Sequence, residues 1–352
     1  MAQRIAGWDI GGAHVKLALL DEHGGLSGVE QRPCPLWKGC DYLAAVLAEL
    51  DQAYGLADYR HAVTMTGELA DGFANREQGV RAIVATIGQR FGFDRIEVFA
   101  GRAGFIGGAD VAPADTLAIA SANWLASVFW LAEQLPDALF VDIGSTTTDL
   151  LLIENGCPRI EGYTDYQRLI SGELLYTGVV RTSVMALADT AEFNGRQQGL
   201  MAEHFATTAD IYRVTGDLQE HHDQTESADG AEKTPQASAR RLSRLTGYEF
   251  VEADWPLWQA FAARLKDVQK QKVTRASLVQ MQRATRLPVW VGAGVGRFLI
   301  REIADDLGYA YRDFSELLAK PNGECSRLDA ADCAPAVAVA LLADRRRHAG
   351  QP

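Results

Sequence analysis

Residues 140–156 read FVDIGSTTTDLLLIENG. An apolar strand ends at Asp142 and Gly144, gives way to Ser145, Thr146, Thr147 and Thr148, and turns apolar again after Asp149. That pattern reads as a hairpin whose turn holds something. Small hydroxyls beside backbone N–H groups suit phosphate oxygens. Residues 8–24, WDIGGAHVKLALLDEHG, align with this stretch almost residue for residue, Asp9 and Asp142 lying 133 positions apart. A strand, an acidic glycine turn and a second strand therefore occur twice. Such a repeat predicts a duplicated α/β chain of two lobes. The boundaries read as 1–135 and 136–352, with the cleft between the lobes as the default ligand site.

Outward from the first hairpin, strands are expected at 4–10, 15–20, 26–31, 61–65 and 95–99. Helices are expected at 42–54, where Leu43, Val46, Leu47 and Leu50 share a face, at 76–91, and unbroken from about 115 to 135. In the second half, strands are expected at 137–143, 148–154 and 287–291, with 159–161 as the third strand of the repeat. A helix runs from the glycine turn GAGVG through 306, and a terminal helix spans 331–347. Residues 217–239 carry one leucine among mostly charged or small residues and read as a surface loop.

Composition narrows the function. A 352-residue chain with 47% hydrophobic and 23% charged residues is long enough for two cores. Its net charge of -12 argues against nucleic-acid binding, which needs basic stripes, so any phosphate must be gripped locally. No apolar run reaches the ~20 residues of a membrane span, and the start shows no secretory pattern, so a cytoplasmic protein is expected. Cys34, Cys40, Cys157, Cys325 and Cys333 are scattered without a CxxC and read as reduced thiols. The histidines, Glu220–Asp223 (EHHD) included, form no metal-ligand pattern, and no GxSxG, HExxH or Walker A motif occurs. Subunit number is not legible; a homodimer is compatible with the sequence.

Three motifs could carry chemistry. In DIGGAHVK (9–16), Gly11 and Gly12 allow close approach to phosphate, Lys16 adds charge, and Asp9 can orient water on Mg²⁺. In the second hairpin, Asp142 and Asp149 flank the donors Ser145, Thr146 and Thr147. In VWVGAGVGRF (289–298), Gly292, Gly294 and Gly296 separate a strand from a helix. Each also has a plain reading as a tight turn; the in-register duplication is what favours a phosphate site.

Together these motifs resemble the actin/Hsp70/hexokinase-like (ribonuclease H-like) superfamily, in which two hairpins clasp nucleotide phosphates. More specifically, DIGGAHVKLA, TGELADGFANREQGV, SANWLAS, VDIGSTTTD, SGELLYTGVVRT and HFATTADIYRVTGDL resemble the hydantoinase/oxoprolinase-like proteins, over roughly residues 4–340. The branch concerned is linked to one-carbon transfer in methanogens and methylotrophs. Its archaeal members are synthases of methanofuran biosynthesis, joining a furanmethyl diphosphate to the phenol of glutamyl-tyramine and releasing diphosphate. The resemblance implies a Mg²⁺-dependent transferase acting on a small diphosphate and a phenolic amine, tyramine-like or tyrosine-like. Asp9 and Asp142 would serve the metal, and Gly11, Gly12, Lys16, Ser145, Thr146 and Thr147 the diphosphate. Glu68, Glu173 and Asp149 are candidate bases, Glu173 ahead of Glu68. Trp124 and Tyr176 could stack on an aromatic substrate, and Gly292 and Gly294 would border it. Asp229, Gly230, Lys233, Arg240 and Arg241 of the polar insert could close over a charged ligand. The alternatives are an ATP-dependent small-molecule kinase and a non-catalytic nucleotide-binding regulator.

Overall fold

The computed structural model describes residues 3–318 and 327–349, so Cys325 lies outside the described residues. The chain divides into two compact units. One comprises Met1–Pro136, Asn155–Pro158 and Phe314–Pro352, the other Asp137–Glu154 and Arg159–Asp313.

In the first unit, β1 (Ile5–Ile10), β2 (His14–Leu20), β3 (Leu26–Pro33), β4 (Arg60–Met65), β5 (Ile96–Phe99) and β6 (Phe105–Gly107) form one sheet ordered 3-2-1-4-5-6. β1 pairs antiparallel with β2 and parallel with β4. β1 is buried along its whole length, as a strand covered on both faces must be. Alternation sends Ala6, Trp8 and Ile10 to one face, where they share a core with Leu43 and Leu47 of helix Cys40–Tyr54 and Ile83 of helix Arg76–Phe91. On the other face lies the terminal helix Ala334–Ala349. Gly7 permits its approach: a Cβ there would stand 2.2 Å from the carbonyl oxygen of Ala336 and 2.7 Å from Ala340 Cβ. This contact corrects the division read from the sequence, which gave the terminal helix to the second lobe.

In the second unit, β7 (Ala138–Ile143) pairs antiparallel with β8 (Thr148–Glu154) and parallel with strand Val289–Ala293. The sheet runs Leu174–Leu175, β8, β7, Val289–Ala293, Tyr311–Asp313. The third strand along this path is thus Leu174–Leu175, antiparallel to β8, and the strand expected at 159–161 falls instead at Cys157–Pro158. One core gathers Leu139, Val141, Trp290 and Ile300 around this sheet. A second packs Leu242, Trp258 and Phe261 of helices Pro235–Thr246 and Trp255–Met281 against the hairpin Thr190–Phe193/Arg196–Gly199.

Both sheets therefore carry the strand order 3-2-1-4-5, with 1-2-3 antiparallel and 1-4-5 parallel. This is the ribonuclease H-like order of the actin/Hsp70/hexokinase class, present twice. Two elements depart from expectation besides the third strand. The helix expected unbroken at 115–135 is two helices, Thr116–Ile119 and Asn123–Gln134, parted where Ser121 adopts φ +52°. The polar insert is ordered. Asp229 accepts hydrogen bonds from Arg241 at 3.0 Å and Arg244 at 3.1 Å, and fully buried Arg241 also donates to Asp210 at 2.8 Å. No helix among the described residues is long and apolar enough to cross a membrane.

Candidate functional site

The two hairpin turns share one geometry. In the first, the Gly11 N–H donates to the His14 carbonyl at 2.9 Å; in the second, the Gly144 N–H donates to the Thr147 carbonyl at 2.9 Å. The register is also shared: Asp9 sits opposite Lys16 and Asp142 opposite Asp149. Both aspartates are buried, at the C-terminal end of the first strand of their sheet, where open α/β sheets bind ligands.

At the first turn, a Cβ on Gly12 would meet nothing within 4 Å. Protein packing does not demand that glycine, so the open space is available to a ligand's oxygens. Behind the turn, Gly67 packs against Ile10 and Gly11, where a Cβ would lie 3.0 Å from the Ile10 carbonyl oxygen. Next to it, Glu68 accepts a hydrogen bond from Ser121 at 2.8 Å, and Asn123 Nδ2 lies 3.4 Å from Asp9 Oδ1. The left-handed Ser121 and the helix start at Asn123 thus bring two polar side chains to Glu68 and Asp9. The sequence reading passed over both; its one visible signal was the polar break SAN within an apolar run.

At the second turn, Ser145, Thr146 and Thr147 are half-buried, while Thr148 is buried and donates to the Thr177 carbonyl at 2.7 Å. Three hydroxyls remain for a ligand; the fourth is structural. Segment 178–181 braces the turn. The N–H of Val179 donates to the Gly144 carbonyl at 3.1 Å, and that of Arg181 to the Ser145 carbonyl at 2.8 Å. A Cβ on Gly178 would stand 2.4 Å from Thr146 N, so the segment lies directly against the turn. Arg181 Nη1 is 3.4 Å from Thr146 Oγ1, and Arg181 is another residue that sequence reasoning passed over.

The glycine turn lies alongside. Gly294 has φ +78°, and a Cβ there would be 2.3 Å from Asp142 Oδ1. Its bare backbone borders that carboxylate. Gly292 is explained by packing instead, because a Cβ would strike Tyr311 Oη at 2.4 Å and Ile300.

Several expected roles are corrected. Glu173 is fully buried and its carboxylate is saturated. Oε1 accepts from Glu161 N at 2.9 Å and Arg283 at 3.3 Å, and Oε2 from Gly162 N at 2.7 Å and Ser171 at 2.9 Å. It braces a bend and is unavailable as a base. Asp149 is ion-paired at 2.5 Å with buried Arg168. Trp124 is 2% exposed in the core of its helix, leaving no ring face for a substrate. Glu68 is equally enclosed. Tyr176, two residues before Gly178, is 72% exposed. Lys233 donates to the Asp223 carbonyl at 2.9 Å within the insert, and Arg240, in helix Pro235–Thr246, lies over the Phe250 ring at 5.4 Å.

Among the described residues no group of three His, Cys, Asp or Glu side chains is placed to cage a metal ion. At the second turn a carboxylate, Asp142, with half-buried hydroxyls following it, fits Mg²⁺, which takes one or two carboxylates and keeps most of its waters; at the first turn Asp9 offers a carboxylate without hydroxyls.

Two sheets of this order, each with an acidic glycine turn after its first strand, define an actin-like fold. Residues 60–317 match the Hydantoinase/oxoprolinase family model, and the chain belongs to that family. It is 33% identical over 242 residues to the (4-{4-[2-(gamma-L-glutamylamino)ethyl]phenoxymethyl}furan-2-yl)methanamine synthase of Methanocaldococcus jannaschii, covering 68% of this chain and 71% of that protein. It is 33% identical over 109 residues to the Methanococcus vannielii protein of the same name, covering 31% of this chain and 49% of that protein. Among solved structures, a nucleotide-free acetone carboxylase superposes with a TM-score of 0.57 at 12% identity, covering 96% of this chain and 70% of that chain; this likeness shows the fold.

Proposed function

We propose that the protein is an alkyltransferase of methanofuran-type cofactor biosynthesis. It would join an aminomethylfuran-methyl diphosphate to the phenol of a tyramine-like or tyrosine-like amine and release diphosphate. The observation that carries this reading is the 33% identity to the methanogen synthase across 71% of that enzyme. The turns support it chemically, because donors arranged for phosphates serve a diphosphate leaving group as well as a nucleotide.

The bond that breaks joins the furanmethyl carbon to a diphosphate oxygen, and its electron pair leaves with the diphosphate. The furan ring stabilises positive charge at that carbon, so ionisation runs ahead of attack. The protein's main task is then to stabilise the departing anion. In the second unit this falls to the hydroxyls of Ser145, Thr146 and Thr147 and the bare backbone at Gly294. In the first unit the open backbone at Gly12 and the charge of Lys16 offer a second set, the Gly11 N–H being taken by the His14 carbonyl. Asp142 and, in its own unit, Asp9 would hold Mg²⁺, which when bound neutralises diphosphate charge. The phenol attacks as a neutral oxygen, and the oxonium so formed is acidic enough to release its proton to water. That route needs no strong base and agrees with the saturation of Glu173.

The test is a diphosphate-release assay with Mg²⁺ and a furanmethyl diphosphate, run with glutamyl-tyramine, tyramine or tyrosine. Release should depend on the phenol and consume no ATP. The Asp142→Asn variant should lose at least about 100-fold in turnover while keeping its circular dichroism spectrum, the scale seen when one key electrostatic group is removed. ATP turned into ADP together with a phosphorylated acceptor would establish the kinase alternative instead.

A further inference from the structure

We propose that Arg181 is the cation that grips the diphosphate at the second hairpin, an assignment that deepens the alkyltransferase reading and rests on it. The duplicated turns differ in the charge they carry opposite their first aspartate. Opposite Asp9 the first hairpin carries Lys16, a positive charge built into the strand register. The position opposite Asp142 is Asp149, and its negative charge is taken up by Arg168, which is 1% exposed. The second hairpin thus has the richer set of hydroxyls but no cation of its own in register. A departing diphosphate carries at least two negative charges, and hydroxyls alone match them poorly.

Segment 176–181 brings in what the hairpin lacks. Gly178 presses against Ser145 and Thr146, and the N–H groups of Val179, Val180 and Arg181 donate to the Gly144 and Ser145 carbonyls at 3.1, 3.2 and 2.8 Å. Buried Gln269 holds the segment from behind, donating to Thr177 Oγ1 and to the Gly178 carbonyl, each at 2.9 Å. Arg181 is therefore carried on a fixed backbone. Its side chain is exposed, with Nη1 3.4 Å from Thr146 Oγ1, one of the three half-buried hydroxyls. A guanidinium presents several N–H donors in one plane and can bond two phosphate oxygens at once. Seated beside Thr146, it would make an anion site from a guanidinium and three hydroxyls, all supplied by the second unit.

The test is calorimetric titration of the intact protein with inorganic diphosphate and Mg²⁺, for wild type, Arg181→Gln and Arg181→Lys, alongside the release assay. Arg181→Gln should weaken diphosphate binding about ten- to hundredfold, the range expected for a lost charge-assisted contact. Arg181→Lys should recover part of that loss. Product inhibition by diphosphate should weaken in parallel, and the melting temperature should stay within about 2 °C, because the side chain is exposed. Unchanged diphosphate affinity in Arg181→Gln would overturn the assignment, as would a wild type that does not bind diphosphate. So would a loss that tracks a lowered melting temperature and is matched by Arg181→Lys. Weakened binding in the variant, together with a wild type that releases no diphosphate from the furan substrate, would retire the alkyltransferase reading and leave the anion-binding role of Arg181 in place.

Discussion

His61 shows how one buried side chain ties stability to pH. It lies in the first unit with its ring stacked on Phe91 at 4.1 Å, and its Nδ1 accepts the Trp8 indole N–H at 3.1 Å. Burial disfavours the charged imidazolium and lowers the pKa to about 4. An unfolded chain takes up that proton near pH 6.5. Between pH 6.5 and 4 the unfolded state thus binds more protons, and stability falls as pH falls. The contribution is complete above pH 6.5, and about 3 kcal/mol is lost by pH 4. Urea unfolding of wild type against His61→Gln at pH 7, 5.5 and 4 should show a difference that shrinks with acidification; a difference independent of pH would contradict this account. The sequence placed His61 in a strand, but its burial beside Trp8 needed the sheet, because those residues lie 53 positions apart.

At the scale of elements, Glu173 and the turns it supports show what local pattern hides. The segment SGELLYTG was legible as distinctive, and its position after the second hairpin suggested a carboxylate aimed at a ligand. The fold instead spends that carboxylate on two backbone N–H groups, a serine and an arginine. Replacing Glu173 by Gln sets an amide NH₂ against groups that are themselves donors. The expected cost is about 3 kcal/mol of unfolding free energy, as for other broken buried charge pairs, measured by denaturant titration. A variant that keeps wild-type stability and loses only turnover would restore Glu173 as a base. The hairpins were legible in the sequence to within one residue at the strand ends, since hydrophobic alternation and glycine turns are local signals. The third strand of the second sheet was not, because its two residues pair with β8 across some 20 intervening positions.

At the scale of the whole molecule, the first unit is assembled from three separate stretches of chain. Helix Ala334–Ala349 packs on β1 and its removal would uncover that face of the sheet, including the cleft over Gly7 that only a glycine permits. A chain ending at residue 326 should therefore lose amide-exchange protection in β1, β2 and β4 while the Leu242–Trp258–Phe261 core of the second unit stays protected. Protection of β1 equal to that of the full chain would show that the helix is dispensable.

The sequence by itself determined the duplicated hairpins, the α/β class, the family and the hydroxyl-rich turn, because each rests on residues adjacent in the chain or on a motif order preserved along it. The tertiary structure decided what surrounds each candidate side chain. It enclosed Glu68 and Trp124, saturated Glu173, paired Asp149 with Arg168, tied Lys233 to Asp223, laid Arg240 over Phe250, and set Arg181 against Thr146. The physical reason is that a side chain's availability depends on what it is packed and bonded against, and those partners come from distant parts of the chain.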